Sequence, residues 1–409
     1  MSVRWLWAGA VTHGSFWVRG QVEGSLVRLV VSEHDSLTSP TYFGPVGTTA
    51  NIASLRATGL DPDTQYHYAF EVDGQLHTDW QGKARTFPVP GEPASYTFWS
   101  GHCAGNDSTQ PWTFNGMSNH PIFDNIRQHQ PLFGIHSGDL WYRDSLGTDL
   151  GDYRLCYSDL LTYNQNENAD ARQGLLYRNV PVAWVWDDHD SYGGNNSHPG
   201  QEGRQQAAQV FRERAPHYPL PADTRDGGDG EVYQTFVCGR QRFILLDVRS
   251  KRSDHTDADG PEKTMLGADQ KQWLKDTLLA AQEPVICVAT IVPWGGPPAT
   301  VDHWAGFSHE REDIGEFIDA NDLTDRIWLL GGDMHGSAAD SGANHGFGGA
   351  SMPHAFGGAL DCTTSTKGGP YDLHSSQQRN AYAMWSVTDN GTAGIDLNLS
   401  LRRWVDDAE

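Results

Sequence analysis

The run Pro131-Leu132-Phe133-Gly134-Ile135-His136-Ser137-Gly138-Asp139-Leu140-Trp141-Tyr142 sets the terms for the rest of the chain. Its apolar first half has the short, bounded look of a buried strand, which places Asp139 at the carboxyl end. In open α/β sheets that edge is where ligands and metal ions bind. An aspartate there can bridge two cations, and a tyrosine three residues on can reach back as a phenolate. Phenolate and carboxylate together suit a highly charged, oxygen-seeking ion such as ferric iron. Gly-Asp before an aromatic residue also makes ordinary strand-end turns, so the motif gains its meaning from the segments that follow it.

Outward from this run, strands and helices alternate. Strands are expected at 96–101, 131–137, 181–187, 232–238, 241–248, 284–292 and 326–332, and helices at 119–129, 150–163, 201–214, 268–281 and 309–320. Such alternation predicts a layered α/β domain. Two further strands close the chain, near 381–388 and 394–402, and the Gly-rich stretch from Gly336 to Gly369 reads as long loops. Before residue 90 the pattern differs: short β segments such as Leu26–Val31 and Gln65–Val72 are separated by turns, with no helical period. The turn Leu60-Asp61-Pro62-Asp63-Thr64 leads into the last of them. This spacing predicts an immunoglobulin- or fibronectin-III-like sandwich over 1–92, followed through the Pro/Gly segment 88–93 by a second domain over 93–409.

The 409 residues suffice for two domains with a sizeable core, and 38% hydrophobic with 11% aromatic residues describes a globular chain. Fifteen tryptophans mark a well-packed aromatic interior or a lined cleft. No apolar run is long enough to span a membrane, and the chain opens without the charged and apolar regions of a signal peptide. A cytoplasmic protein and a mature secreted form both remain open. A net charge of −23 repels nucleic acid and anionic lipid, and no nucleic-acid-binding patch stands out. The same field repels an anionic substrate unless cations reverse it locally. The five cysteines are scattered, which argues against a disulfide framework and a Cys-x-x-Cys zinc site. Four read as small core residues.

Four strand ends carry polar chemistry. The first closes on His102-Cys103, where the thiol is either a metal ligand or a buried core side chain. The second supplies Asp139 and Tyr142. The third, Trp184-Val185-Trp186-Asp187-Asp188-His189-Asp190, sets four ionisable residues directly after an apolar run. Clustered carboxylates repel each other unless a cation is present or their pKa values rise. His189 among them is placed to touch a phosphoryl oxygen or to protonate a leaving group. The fourth, Gly331-Gly332-Asp333-Met334-His335, spaces two ligands so that an extended segment would turn both to one side. Arg249, after the strand ending near Val248, either clamps phosphate oxygens or pairs with an acidic neighbour such as Asp247. Asn195 and Asn196 either offer carbonyl oxygens or simply form a turn. His102, His136, His303 and His309 lie near these segments without an assigned part. Phosphate-loop, His-Glu-x-x-His, nucleophile-elbow and dinucleotide motifs are missing from the sequence.

Taken in order, Cys103, Gly138-Asp139-x-x-Tyr142, Trp186-Asp187-Asp188-His189-Asp190, Leu246-Asp247-x-Arg249-Ser250, Leu266-Gly267-x-x-Gln270-x-x-Trp273-Leu274 and Gly332-Asp333-x-His335 resemble the alkaline phosphatase D (PhoD-like) family. That family is similar in its motifs to purple acid phosphatases. The resemblance implies a four-layer αββα metallophosphatase domain and a metal-dependent phosphoric ester hydrolase acting on small phosphate esters. It further implies that Cys103, Asp139, Tyr142 and His335 hold Fe3+. Asp139 would bridge to a second ion, Ca2+, completed by Asp188 and Asp333, with Mg2+, Mn2+ or Zn2+ as other occupants. His189 would face the substrate and Arg249 would bind phosphate. A phospholipase-D-like diesterase of the same family, and a binding protein with a degenerate phosphatase domain, are the alternatives. Ester preference, leaving group and oligomeric state are not legible.

Overall fold

The computed structural model describes residues 2–144, 146–162, 171–191, 193, 201–221, 230–365, 367–392 and 394–404. The chain opens with two antiparallel sheets. One orders Val3–Thr12, Ser15–Val22 and Ile52–Thr58; the other orders Thr41–Val46, Val27–Ser32, Gln65–Val72 and Gln75–Leu76, with Gly82–Arg85 also on Gln65–Val72. Alternation along Gln65–Val72 turns Tyr66, Tyr68, Phe70 and Val72 inward. Phe16, from the first sheet, meets Tyr68 of the second at 5.8 Å between ring centroids.

This N-terminal part does not close on itself. Trp7 packs on Tyr177 at 4.9 Å and on Trp184 at 6.1 Å, both beyond residue 92. Tyr68 donates its hydroxyl to the Arg178 carbonyl at 2.7 Å, and Tyr218 donates to the Val11 carbonyl at 2.9 Å. The segment 88–93 is likewise tied down, with Gly91 N–H bonding to the Gly239 carbonyl at 2.8 Å. One apolar core therefore runs through the junction.

Beyond the junction lie two larger sheets. The first orders Val182–Val185, Phe133–Ser137, Tyr96–Ala104, Ala381–Thr388 and Asp396–Arg403, and Ala359–Asp361 adds to Tyr96–Ala104. The second orders Gln234–Cys238, Gln241–Leu245, Val285–Ile291, Ile327–Gly331, His354–Phe356, Ser337–Asp340 and His374–Ser376. Their inner faces meet through aromatic rings: Phe98 and Phe133 stand edge-on to Phe243 at 5.4 and 5.3 Å, and Trp328 lies 4.6 Å from Trp385. Helices Gly267–Ala280 and Ser308–Ala320 bring Leu274, Leu278, Ile314 and Ile318 against Val288 and Leu329 of the second sheet and Leu246 just past its strand Gln241–Leu245. Beside the first sheet, Trp184 is covered by Phe211 and Tyr157, from helices Arg204–Arg214 and Leu150–Thr162.

The stretch 336–369 departs from the expected loops. It contributes Ser337–Asp340, His354–Phe356 and Ala359–Asp361, short strands that extend both large sheets. Strands of three or four residues are too brief to show a period against so many glycines. Helix Arg172–Asn179 was likewise not expected.

Candidate metal centre

Three strands of the first sheet, Tyr96–Ala104, Phe133–Ser137 and Val182–Val185, run parallel. Cys103, Asp139 and Asp187 therefore emerge at one edge. Ile327–Gly331 of the second sheet points its carboxyl end at the same place, and the close approach depends on two glycines. A Cβ on Gly138 would lie 2.4 Å from Asp187 Cβ, and one on Gly332 would lie 2.4 Å from the Ser137 carbonyl oxygen. Each Gly-Asp pair thus buys contact between strand ends that any side chain would hold apart.

The backbone bends sharply at the polar residues themselves. Cys103, Asp139, Asp333 and His335 all take left-handed conformations, with φ of 55°, 58°, 56° and 56°. For residues with a Cβ this costs about 1–2 kcal/mol each, and such strain collects where a site demands particular side-chain directions. It also corrects one expectation: Asp333 and His335 converge through two such bends, not because the segment is extended.

Their side chains form one buried cluster. Tyr142 donates its hydroxyl to Asp139 Oδ2 at 2.9 Å and lies 3.1 Å from His335 Nε2. Cys103 Sγ is 3.4 Å from Asp139 Oδ2 and 3.1 Å from His102 Nδ1. Ligand atoms of Cys103, His335 and Cys362 lie within 4.8 Å of one another. The same spacing holds for Asp139 with Asp333 and His335, for Asp139 with Asp188 and His189, and for Asp139 with Asp187, Asp188 and Asp333. Asp139 belongs to three of these four groups, as a bridging ligand must.

Burial, then the neighbouring carboxylate of Asp188, pushes the Asp139 carboxyl up to about 8. Asp333 is pushed up to about 6 by burial, although Lys367 opposes the shift. Burial and then Lys367 lower His335 to about 4, which leaves its imidazole neutral and able to ligate. Burial also works against the charge on Asp188, but Arg249, His189 and Lys367 hold it below the usual carboxylate range. His189 is penalised by burial, yet Asp139, Asp144 and Asp188 raise it to about 10. Asp187 Oδ2 and Asp188 Oδ2 have no hydrogen-bond partner among the described residues. Buried carboxylate oxygens without donors, beside a thiol, a phenol and a neutral imidazole, are the donor set that cations satisfy.

A comparison with protein families matches residues 105–395 to the family described as PhoD-like phosphatase. The chain belongs to the PhoD-like phosphatase family. It is 26% identical over 329 residues to alkaline phosphatase D of Bacillus subtilis (strain 168), covering 71% of this chain and 54% of that protein. The chain thus spans about half the length of that curated relative. Among solved structures it resembles one titled "Structure of PhoD", with a TM-score of 0.73 at 20% identity, covering 96% of this chain and 88% of the other. A purple acid phosphatase, PPD1 from seeds of yellow lupin (Lupinus luteus), aligns with a TM-score of 0.63 at 13% identity over 98% of this chain and 72% of its own. The PhoD-like and purple acid phosphatase fold is therefore shared. No helix among the described residues is long and apolar enough to cross a membrane.

Of the residues singled out from the PhoD-like pattern, Cys103, Asp139, Tyr142, Asp188, His189, Asp333 and His335 all meet in this cluster. Arg249 is wholly buried and turned onto Asp187 and Asp188, at 3.4 Å from the latter, while Asp247 binds Trp186 Nε1 and Ser250 instead. Asn195 and Asn196 lie outside the described residues. Three groups escaped sequence reasoning. Cys362, counted among the core cysteines, sits beside Cys103 because Ala359–Asp361 pairs in register with His102 and Ala104. Asp144, in a loop, holds His189 Nδ1 at 2.6 Å. Lys367 binds both oxygens of Asp333 at 2.7 Å. Cys362 and Lys367 both lie in the Gly-rich stretch 336–369, where sequence carried no periodic signal to place them.

Proposed function

We propose that this chain is a metal-dependent phosphoric ester hydrolase, an alkaline phosphatase D-like phosphodiesterase or phosphomonoesterase. We place its site on an αββα frame at 93–409, behind a fibronectin-III-like sandwich at 1–92. The observation that carries the proposal is the meeting of ligands from four distant strand ends around Asp139, beside two carboxylate oxygens with no hydrogen-bond partner among the described residues.

In this reading Cys103, Asp139, Tyr142 and His335 would hold Fe3+, and Asp139, Asp188 and Asp333 would hold Ca2+. Mg2+, Mn2+ or Zn2+ are the alternative occupants. Bound ions supply positive charge for the phosphoryl oxygens and a water that ionises near neutral pH. The remaining work falls to the chain's own groups. Asp144 fixes one side of the His189 ring, and the Tyr142 ring packs on it with 4.1 Å between centroids. His189 is thereby held with its charged imidazolium beside Asp139 and Asp188, ready to donate to a phosphoryl oxygen or to the departing alcohol. Arg249 keeps Asp188 ionised for ligation and is the side chain we assign to phosphate.

The test is hydrolysis of p-nitrophenyl phosphate, bis-p-nitrophenyl phosphate and phosphatidylcholine by ion-loaded protein, before and after chelation. We expect turnover of a phosphate ester that chelation abolishes and re-addition of ions restores. No hydrolysis of any of the three by protein with bound ions would overturn the proposal.

A further inference from the structure

Besides the buried Arg249, a second, partly buried cation at the centre belongs to the chain itself. Lys367 is one of only six lysines in the sequence. Its ammonium lies 2.7 Å from each oxygen of Asp333 and 3.6 Å from Asp302 Oδ2. Asp333 belongs to the carboxylate cluster with Asp139, Asp187 and Asp188, and Asp302, which shares Lys367 with it, feels the charges of Asp188, Arg249 and Arg252 as well. The backbone delivers the lysine there independently of any ion. Ser365 binds back to the Asp333–His335 segment, through its N–H to the His335 carbonyl at 3.2 Å and its hydroxyl to the Met334 carbonyl at 3.2 Å. On the far side, Tyr371 donates its hydroxyl to the Lys367 carbonyl at 2.7 Å. Lys367 is therefore pinned from both sides against the strand end that carries Asp333.

We propose that the Lys367 ammonium is a built-in cation at the Asp302–Asp333 end of the cluster, so that this end takes no metal ion of its own. Like-charged carboxylates buried together require positive charge between them. A compact ammonium with three donors can stand between two carboxylates much as a small metal ion would, and a guanidinium in its place would keep the positive charge. Each Asp333 oxygen keeps a second lone pair, so Asp333 can still reach an ion shared with Asp139. An ion centred between Asp302 and Asp333, however, would have to displace the lysine. The number of ions bound is thus limited by a side chain, and removing that charge should open a further oxygen-lined position for a hard divalent cation.

The inference rests on the metal-centre reading, and its test separates the two. Ca2+ bound per chain is measured by equilibrium dialysis and elemental analysis for the protein as purified, for K367M and for K367R. We expect K367M to bind one more Ca2+ per chain than wild type, K367R to match wild type, and K367M/D302N to lose the extra ion. Equal counts in wild type and K367M overturn the inference alone. A wild-type chain that binds no ion at all overturns the metal centre. Should K367M be destabilised, its Tm must rise with added CaCl2 more than that of wild type, and an equal rise also overturns the inference.

Discussion

Asp190 collects three backbone N–H groups inside the cluster: Asp139 at 2.6 Å, Leu140 at 2.7 Å and Asp187 at 3.1 Å. It thereby ties the strand end at 138–140 to the one at 187 and fixes the left-handed turn that aims Asp139. Asp190→Ala strands three buried donors. Each unsatisfied buried donor costs about 1–3 kcal/mol, and partial entry of water lowers the sum, so we expect a loss of about 3–6 kcal/mol. With an unfolding entropy of about 2.1 cal/mol/K per residue over 409 residues, this lowers Tm by about 3–7 °C. Asp190→Asn keeps one accepting oxygen and should lose about half as much. Because Asp139 loses its aim, bound iron should fall in both variants. Calorimetry of purified variants, with elemental analysis of the same samples, measures both effects. A Tm within about 1 °C of wild type and undiminished iron in Asp190→Ala would show that these strand ends are held in place by something else.

Asp139→Asn removes the side chain that, among the described residues, alone is common to three ligand groups, and should abolish turnover and strip both ions; retained iron with normal activity would refute its bridging part. Arg249→Ala removes the guanidinium paired with buried Asp187 and leaves Asp188 only His189 and Lys367, which costs about 3–5 kcal/mol in ion-free protein. Bound ions should offset much of that loss, while inhibition by inorganic phosphate weakens at least tenfold; unchanged inhibition would remove Arg249 from phosphate binding. Tyr142→Phe should keep the fold but erase any visible phenolate-to-iron absorption, and a persistent band would exclude Tyr142 as the ligand. Asp139 near 8, Asp333 near 6 and His189 near 10 all lie above the values of about 3.9 and 6.5 for exposed aspartate and histidine. Histidines that burial lowers, such as His335 at about 4, oppose these shifts below about pH 7. Above it they are neutral in folded and unfolded chain alike, Asp139 and His189 leave the folded, ion-free chain holding more protons, and its stability should fall as pH rises from about 7 to 9. Ions displace these protons, so their affinity should rise across the same window. A Tm of chelated protein that climbs with pH over that range would contradict both signs.

Much of the centre was legible because strand ends announce themselves. An apolar run stopping abruptly at Gly-Asp or at Asp-Asp-His-Asp leaves ionisable groups that no ordinary core accepts, and seven of the expected ligand and substrate-side residues do meet. Residues in loops were harder. Asp144 and Lys367 sit among turns, where neither period nor neighbouring residue type points to a partner. Cys362 looked like any small buried residue, since only the pairing of Ala359–Asp361 with His102 and Ala104 shows which thiol it adjoins.

Local sequence thus determined which elements form and where their polar ends lie, because hydrophobic period and strand termination are properties of neighbouring residues. Tertiary structure decided what those ends face. The pairing of Arg249 with Asp187 and Asp188, the placing of Lys367 on Asp333, and the apolar core shared across residue 92 arise from contacts between distant segments. Such contacts depend on strand register and on the two glycines that let sheet edges meet, and neither leaves a periodic trace along the chain.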